Sequence, residues 1–366
     1  MRVVVVGAGY AGTIAANRLN RQCPELQITV VNRRSEFVER VRLHEELAGS
    51  GRAARPLAQM LRPGIAVKVG EVTAIGEQSV RLAGGGMGEE EAQGGRGGRT
   101  AEGESLSFDY AILAAGSVAD APLGTISVTD WEGVNTARAA LARLEPGAVV
   151  NVIGGGLTGI ECASELAASH PELRIRMIFT ELGPGLAGPA RDRVQRGLEK
   201  LGVDLSQGRF ERPRGDAELN LWAIMSAMPP LIAASGLTGA PDGRIRVDSH
   251  LRAVDNPRIF VAGDCAAVAG ARMACATATP QGAHVADTIA RIVTGREPRT
   301  YSMGYISQAI SLGRRDGVIQ VVNRDDSPRR LYISGRPAAL AKESICRYAE
   351  RSARTATYFW PRGPRP

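Results

Sequence analysis

The sequence predicts an α/β protein built on two copies of one parallel strand–helix–strand unit, and three observations predict it. Val3–Val6 is a continuous β-branched run that stops at a glycine turn and leads into a helical pattern over Ala11–Leu19, as expected of a buried parallel strand feeding a helix. The same order recurs at Val149–Glu181, with strand VVNVI, a glycine turn, a helix through Leu166 and strand IRMIF. Each turn carries glycine at its first, third and sixth positions. A chain of 366 residues holds two such units and an extension, so two or three domains are expected.

Taken in order, Ile28–Val31 supplies the second strand of the first unit. Ile65–Leu82 reads as short strands and Phe108–Ala114 as another, ending at Gly116. Between them, residues 84–103 (GGGMGEEEAQGGRGGRTAEG) are glycines and charges that bury too little apolar surface to offset ordering, so a flexible hairpin insertion is expected. After the second unit, Arg258–Ala262 is one more buried strand, and Pro280–Val293 reads as a helix with its proline in the first turn. Ala338–Arg354 has Ala338, Ala341, Ile345 and Tyr348 at helical spacing, opposite Lys342, Glu343, Arg347 and Arg351. The tail Tyr358–Pro366 mixes aromatics with arginines, which suits an interface or a disordered end.

Composition narrows the class. The net charge of +7 is spread along the chain without a basic block, which argues against nucleic acid as a partner. A diffuse positive surface favours anionic cofactors or anionic lipid headgroups as much as simple solubility. Cys23, Cys162, Cys265, Cys275 and Cys346 form no CxxC or CxxxxC pair and no zinc-ligand spacing. That argues against a redox-active disulfide and a metal site, and fits a reducing cytoplasm. Met1 leads straight into MRVVVV with no signal-peptide pattern, and no apolar run reaches the roughly 20 residues of a membrane span.

The first glycine motif, GAGYAG, spans Gly7, Ala8, Gly9, Tyr10, Ala11 and Gly12. Its first glycine permits the tight turn, the second lets backbone approach a pyrophosphate, and the third lets helix pack on strand. The phosphates then meet the free N–H groups of a helix N-terminus. The second motif, GGGLTG, places Gly154, Gly156, Thr158 and Gly159 in the same context, followed by Glu161. Two such motifs in one chain imply two dinucleotides, naturally a flavin and a nicotinamide.

GAGYAG, FDYAILAAGS at Phe108–Ser117, GGGLTGIE and NPRIFVAGDCA at Asn256–Ala266, in that order, resemble the two-dinucleotide-binding-domain flavoproteins. Within them the chain looks most like type II NADH dehydrogenases and related actinobacterial NAD(P)/FAD-dependent oxidoreductases, over roughly residues 1–320. VERVRLHEELAG at Val38–Gly49 and SLGRRDGVIQ at Ser311–Gln320 look like that actinobacterial branch. The resemblance implies two Rossmann-like domains. Residues 1–120 and 252–300 would form a discontinuous FAD-binding domain, 121–251 an inserted NAD(P)-binding domain, and 301–366 a small C-terminal α+β region for an interface or membrane docking.

It implies that the FAD pyrophosphate lies on Gly7–Gly12 with adenosine near Asn32 and Arg33. Arg42, Val72, Ala115 and Gly116 would also contact the cofactor, and Gly263 and Asp264 would meet the ribityl hydroxyls, which a carboxylate there suits. Asp264 also reads as a helix N-cap. The flavin ring would lie near Ala276–Gln281, with Pro280 and Gln281 against it. Quinone reductases carry an AQxAxQ-like pattern there; this chain reads ATATPQ and keeps only Gln281.

In the second unit Glu161 matches the glutamate of the family's GVE segment, near the nicotinamide face of the flavin; the alternative is an ordinary helix glutamate. Glu181 suits a ribose 2′-OH, which favours NADH over NADPH unless Thr180 holds that place. His44 is a candidate for proton transfer, against the more ordinary reading of a satisfied structural histidine. His284 is expected to pack near the cofactor, and Cys265 and Cys275 read as small buried residues. Two more departures stand out. Asn32 occupies a place usually acidic, and Ser226-Ala227-Met228 replaces an expected Ala-Gly.

What the resemblance implies is ping-pong hydride chemistry, from NAD(P)H to flavin and on to a quinone-like or other small organic acceptor. The rival readings are a specialised biosynthetic flavoenzyme of bacterial secondary metabolism with reduced NADH turnover, and a non-catalytic flavin or NADH sensor. For the C-terminal region the expectations are peripheral contact with the inner face of the membrane, a cover over the FAD domain, or a homodimer contact.

Overall fold

The computed structural model describes residues 1–83, 103–213, 215–225 and 227–364. The expected insertion at 84–103 therefore lies, apart from Gly103, outside the described residues, as does Ser226 of the Ser226–Met228 departure.

The first repeat folds as strand Arg2–Val6, helix Tyr10–Gln22 and strand Gln27–Asn32. These strands sit inside a six-stranded sheet whose spatial order is 252–253, 256–261, 110–113, 2–6, 27–32, 66–69. Every pairing is parallel except that of Arg252–Ala253 with Asn256–Val261. Val3 and Val5 pack into one apolar layer and Val4 and Val6 into another. Both faces of the strand are thus covered, which is why it reads as an unbroken valine run. The second repeat forms a separate, wholly parallel sheet in the order 126–127, 219–222, 149–153, 174–179, 204–207. Of the short strands expected over 65–82, Ala66–Val69 joins the first sheet, while Val72–Ile75 pairs with Ser79–Leu82 and that strand with Ser105–Ser107 in an antiparallel side sheet.

The helix expected from Pro280 begins earlier, at Cys275, so Pro280 lies inside it and not in its first turn. A proline there removes one backbone donor. The threonines just before it bond back along the helix, Thr277 Oγ1 donating to the Ala274 carbonyl at 2.8 Å and Thr279 Oγ1 to the Cys275 carbonyl at 2.9 Å. The helix lies so close to Tyr10–Gln22 that a Cβ on Gly282 would come within 2.2 Å of the Ala11 carbonyl. His284 is buried on its inner face, with its ring edge-to-face on Tyr301 at 5.2 Å and no partner for Nε2.

Burial pulls the His284 imidazole down from 6.5 to about 4. Between those values the unfolded chain binds a proton that the folded chain refuses. The fold therefore loses stability as pH falls from about 6.5 to about 4, by on the order of 3 kcal/mol, and nothing further from this group below that. Urea midpoints measured over this range should fall steeply for the wild type and more shallowly for His284→Gln; equal slopes would remove His284 as the cause.

The C-terminal region is a three-stranded antiparallel sheet, Ser307–Ser311, Gly317–Val322 and Pro328–Ser334, followed by helix Arg336–Thr355. The apolar stripe of its pattern is split between a buried and an exposed face. Ala338, Cys346, Ala349 and Ala353 are buried, Lys342 points inward, and Ile345 and Tyr348 are exposed. Buried carboxylates on neighbouring elements supply the reason, because they draw the helix's charges inward. The tail packs instead of trailing: Trp360 Nε1 donates to the Ser302 carbonyl at 3.0 Å and Gly363 N to Ser302 Oγ at 3.0 Å. Among the described residues, no helix is long and apolar enough to cross a membrane.

Candidate functional site

Three groups of residues converge where the two units meet. In the first, Gly7 takes φ +95°, and a Cβ there would strike the Ala114 carbonyl at 2.4 Å. A Cβ on Gly12 would meet the Gly7 carbonyl at 1.9 Å. Around Gly9, by contrast, nothing lies within 4 Å of such a Cβ. The turn is therefore packed against protein at its first and third glycines and open at its second, the side a pyrophosphate would take. Helix Tyr10–Gln22 starts at Gly9 with no side-chain cap and no acidic residue in its first turn, leaving its N–H groups available to an anion. These features fit a bound dinucleotide.

Asn32 explains its own departure from acidity. Its Oδ1 accepts from Ala8 N at 3.0 Å, while Nδ2 donates to the Arg34 and Glu36 carbonyls at 2.8 and 3.3 Å. A carboxylate cannot donate, so aspartate would face those two carbonyls unpaired. Asn32, Arg33, Val72, Ala115 and Gly116 all line one cavity with Gly7–Gly9. Arg40 also lines that cavity, donating to the Thr129 and Ser117 carbonyls at 3.1 and 3.0 Å, and lies 3.7 Å from Asp264. Asp264 accepts from Ser117 Oγ at 2.7 Å. Gln281, 1% exposed, accepts from Gly263 N at 2.7 Å and so fixes the backbone beside Asp264.

The second unit repeats the glycine geometry. Gly154 takes φ +130°, a Cβ on Gly159 would meet the Gly154 carbonyl at 1.9 Å, and Gly156 faces open space. Thr158 stands in the first turn of helix Leu157–Ser169. Glu181, exposed just past strand Arg174–Phe179, pairs with Arg191 at 3.0 Å.

The third group is a buried polar cluster between helices Leu43–Leu47, Leu157–Ser169 and Arg336–Thr355. Glu161 Oε1 accepts from Lys342 Nζ at 3.0 Å and from Ser311 N at 3.0 Å. His44 Nδ1 lies 3.9 Å from the other Glu161 oxygen, and its Nε2 makes no hydrogen bond. Arg314 bridges Glu45 and Glu165, each at 2.9 Å. Arg42 pairs bidentately with Glu343 at 2.9 and 3.0 Å and also reaches Glu45 and Glu39. Its guanidinium thus belongs to this cluster and is not among the cavity-lining residues of the first unit. Tyr10 joins from the glycine motif, its hydroxyl 3.3 Å from Glu39.

Burial opposes charge on Glu161, yet Lys342, His44 and the Ser311 N–H outweigh it and hold the carboxyl below its usual range. Burial likewise opposes the Lys342 ammonium, and Glu161 raises it in spite of that. Burial drives His44 down, which leaves a neutral imidazole beside the pair at pH 7. Cys275, at the start of the helix that carries Gln281, feels the charges of both Lys342 and Asp264.

Sequence reasoning missed Arg40, Ser117, Arg314, Glu165 and Lys342 as members of these sites. One signal was available: Glu165 follows Glu161 by one helical turn on the same face, and two buried acids require cations from elsewhere in the chain.

The sequence profile of the pyridine nucleotide-disulphide oxidoreductase family matches residues 1–288. Ferroptosis suppressor protein 1 of Taeniopygia guttata is 27% identical, over 88% of either chain. The type II NADH:quinone oxidoreductase of Staphylococcus saprophyticus is 25% identical, over 94% of either chain. NDH2 from Plasmodium falciparum, solved in complex with NADH, superposes with a TM-score of 0.76 at 13% identity, covering 98% of this chain and 99% of its own. That likeness establishes the fold, two parallel-sheet nucleotide-binding units of Rossmann type.

Proposed function

The chain belongs to the pyridine nucleotide-disulphide oxidoreductase family, and on that premise we propose that it moves two electrons from NADH, through FAD held by the first unit, to a quinone-like acceptor. One observation carries the reading. Both glycine turns are closed against protein at two glycines and open at the one a pyrophosphate would approach, so a single chain offers two dinucleotide cradles.

When bound, the flavin supplies the hydride acceptor and the two-electron donor. The protein's part is to hold, orient and manage protons. Gly9 and the N–H groups of helix Tyr10–Gln22 hold one pyrophosphate, with Arg33 and Arg40 nearby. Asp264, steadied by Ser117, accepts from sugar hydroxyls, and Gly263, held by Gln281, keeps that turn in place. Gly156 and Thr158 take the second pyrophosphate. Glu181 accepts from a ribose 2′-OH and disfavours a 2′-phosphate, while Arg191 beside it softens that preference.

Reducing a quinone to a quinol consumes two protons. Lys342, the protonated member of the buried trio it forms with Glu161 and His44, is the group able to give one of them, the other arriving with the hydride of NADH. The C-terminal region suits peripheral attachment at a membrane's inner face: exposed Leu331, Leu340, Ile345, Tyr348 and Phe359 alternate with Arg330, Arg336, Arg347 and Arg351. The same apolar residues would serve a homodimer.

An anaerobic absorbance titration of the purified protein tests the proposal. NADH is expected to bleach the flavin bands stoichiometrically, and NADPH to require at least about tenfold more nucleotide, since a buried or paired carboxylate facing a phosphate costs more than about 1.4 kcal/mol. Bound flavin that neither nucleotide reduces would sink the NADH-oxidoreductase reading.

A further inference from the structure

A second cavity, of about 340 Å³, opens between the loop after Ser307–Ser311 and the first half of helix Arg336–Thr355. Its size falls near the lower end of small-ligand pockets, about 300–1,000 Å³. Six cationic side chains line it, Arg42, Arg314, Arg315, Arg336, Lys342 and Arg347, against two carboxylates, Glu45 and Glu343. Those two acids are already committed. Glu343 pairs with Arg42 and Arg347, and Glu45 with Arg42 and Arg314. Lys342 spends one donor on Glu161 and one on the Ala309 carbonyl, which leaves one of its three N–H groups over. Among the described residues, Arg315 and Arg336 pair with no carboxylate, and both are exposed at the cavity.

Two guanidiniums at a concave space with no carboxylate of their own constitute an anion receptor, and their planar forks match phosphate oxygens two at a time. Exposed Leu340 forms part of the wall, so the ligand carries an apolar or neutral portion beside its charge. A dinucleotide already has its own cavity elsewhere, lined by different residues.

We propose that this cavity binds a phosphate ester, gripped by Arg315 and Arg336 at its mouth. The ester comes either from a soluble metabolite or from a lipid headgroup, two sources of one chemistry. The inference stands apart from the hydride reading, because it requires neither bound flavin nor turnover.

The test is calorimetric titration of the full-length protein with glycerol 3-phosphate, alongside co-sedimentation with phosphatidylcholine vesicles with and without phosphatidylglycerol. Arg315→Gln/Arg336→Gln is compared with Arg143→Gln/Arg196→Gln, which removes the same charge from two exposed positions outside the cavity. Removing one arginine that donates a charge-assisted hydrogen bond to the ligand should weaken binding about tenfold, so the cavity variant should bind roughly a hundredfold more weakly while the control variant stays within about threefold of the wild type. Saturable binding of glycerol 3-phosphate with this pattern supports the proposal and identifies a soluble ester. The same pattern with vesicles alone supports it and identifies a headgroup. Equal weakening in the two variants, or no binding of either probe by the wild type, would overturn it.

Discussion

Replacing Lys342 with methionine should leave the flavin reducible by NADH while slowing electron transfer to the acceptor by about a hundredfold or more, the usual worth of a positioned proton donor. The physical argument starts from burial. Glu161 is 7% exposed and keeps its charge because Lys342 Nζ sits 3.0 Å away. Without the ammonium, its remaining support is the Ser311 N–H and a neutral His44, so its carboxyl titrates upward. Removing one partner of a buried pair also costs about 3–5 kcal/mol of stability. Stopped-flow separation of the two half-reactions reads the first effect and urea unfolding the second. The companion variant Glu161→Gln/Lys342→Met should recover much of the stability and none of the acceptor rate, since it leaves no orphaned charge. A single variant that slows NADH oxidation as much as acceptor reduction would place the pair on the wrong side of the flavin.

The second large effect separates two glycines of one turn. Gly12→Ala puts a methyl where the Gly7 carbonyl lies 1.9 Å away, so strand and helix must part. The expected result is a loss of about 3 kcal/mol or more, together with loss of bound flavin. Gly9→Ala meets no protein atom within 4 Å and should leave the unfolding midpoint of the flavin-free protein unchanged. The new methyl instead occupies the approach of the pyrophosphate. Breaking one or two charge-assisted hydrogen bonds, each worth about 1.5–3 kcal/mol, weakens flavin binding roughly a hundredfold. Differential scanning calorimetry of the apoprotein and fluorescence titration with FAD measure the two quantities. If Gly9→Ala retained wild-type FAD affinity, the first turn would not be the cofactor's seat.

These glycines were legible in the sequence because their roles are local: a turn, a helix start and a strand all lie within a few residues of one another. The strands around them were legible for a related reason, since a strand buried on both faces must be apolar throughout. The proline was misleading. Pro280 reads as a helix start by its backbone preference, yet tertiary packing carries the helix back to Cys275 and leaves the proline inside. The C-terminal helix was misleading in a more instructive way. Its pattern set Lys342 opposite the apolar stripe, whereas Lys342 shares the buried face with Ala338 because Glu161, far away along the chain, awaits it, and Ile345 and Tyr348 of the stripe are exposed. Periodicity reports hydrophobicity and says nothing about a counter-ion brought in by topology. Arg42 illustrates the same limit: Arg40 reaches the cavity at the first glycine turn while Arg42 turns to Glu343, a division that no local pattern encodes.

The C-terminal helix has a consequence for how the molecule comes into being. Asn17 of the first unit donates to the Ala353 carbonyl at 2.8 Å, and Glu161 of the second unit takes its cation from Lys342. On the ribosome, where domains emerge in order and fold as they appear, both units are complete before that helix leaves the exit tunnel. Until it arrives, the second unit must carry Glu161 either protonated or hydrated, with its inner surface loosened. The nascent chain therefore passes through a stage in which this buried polar cluster is the least finished part of it, and arrival of Arg336–Thr355 is the event that seals the cluster shut.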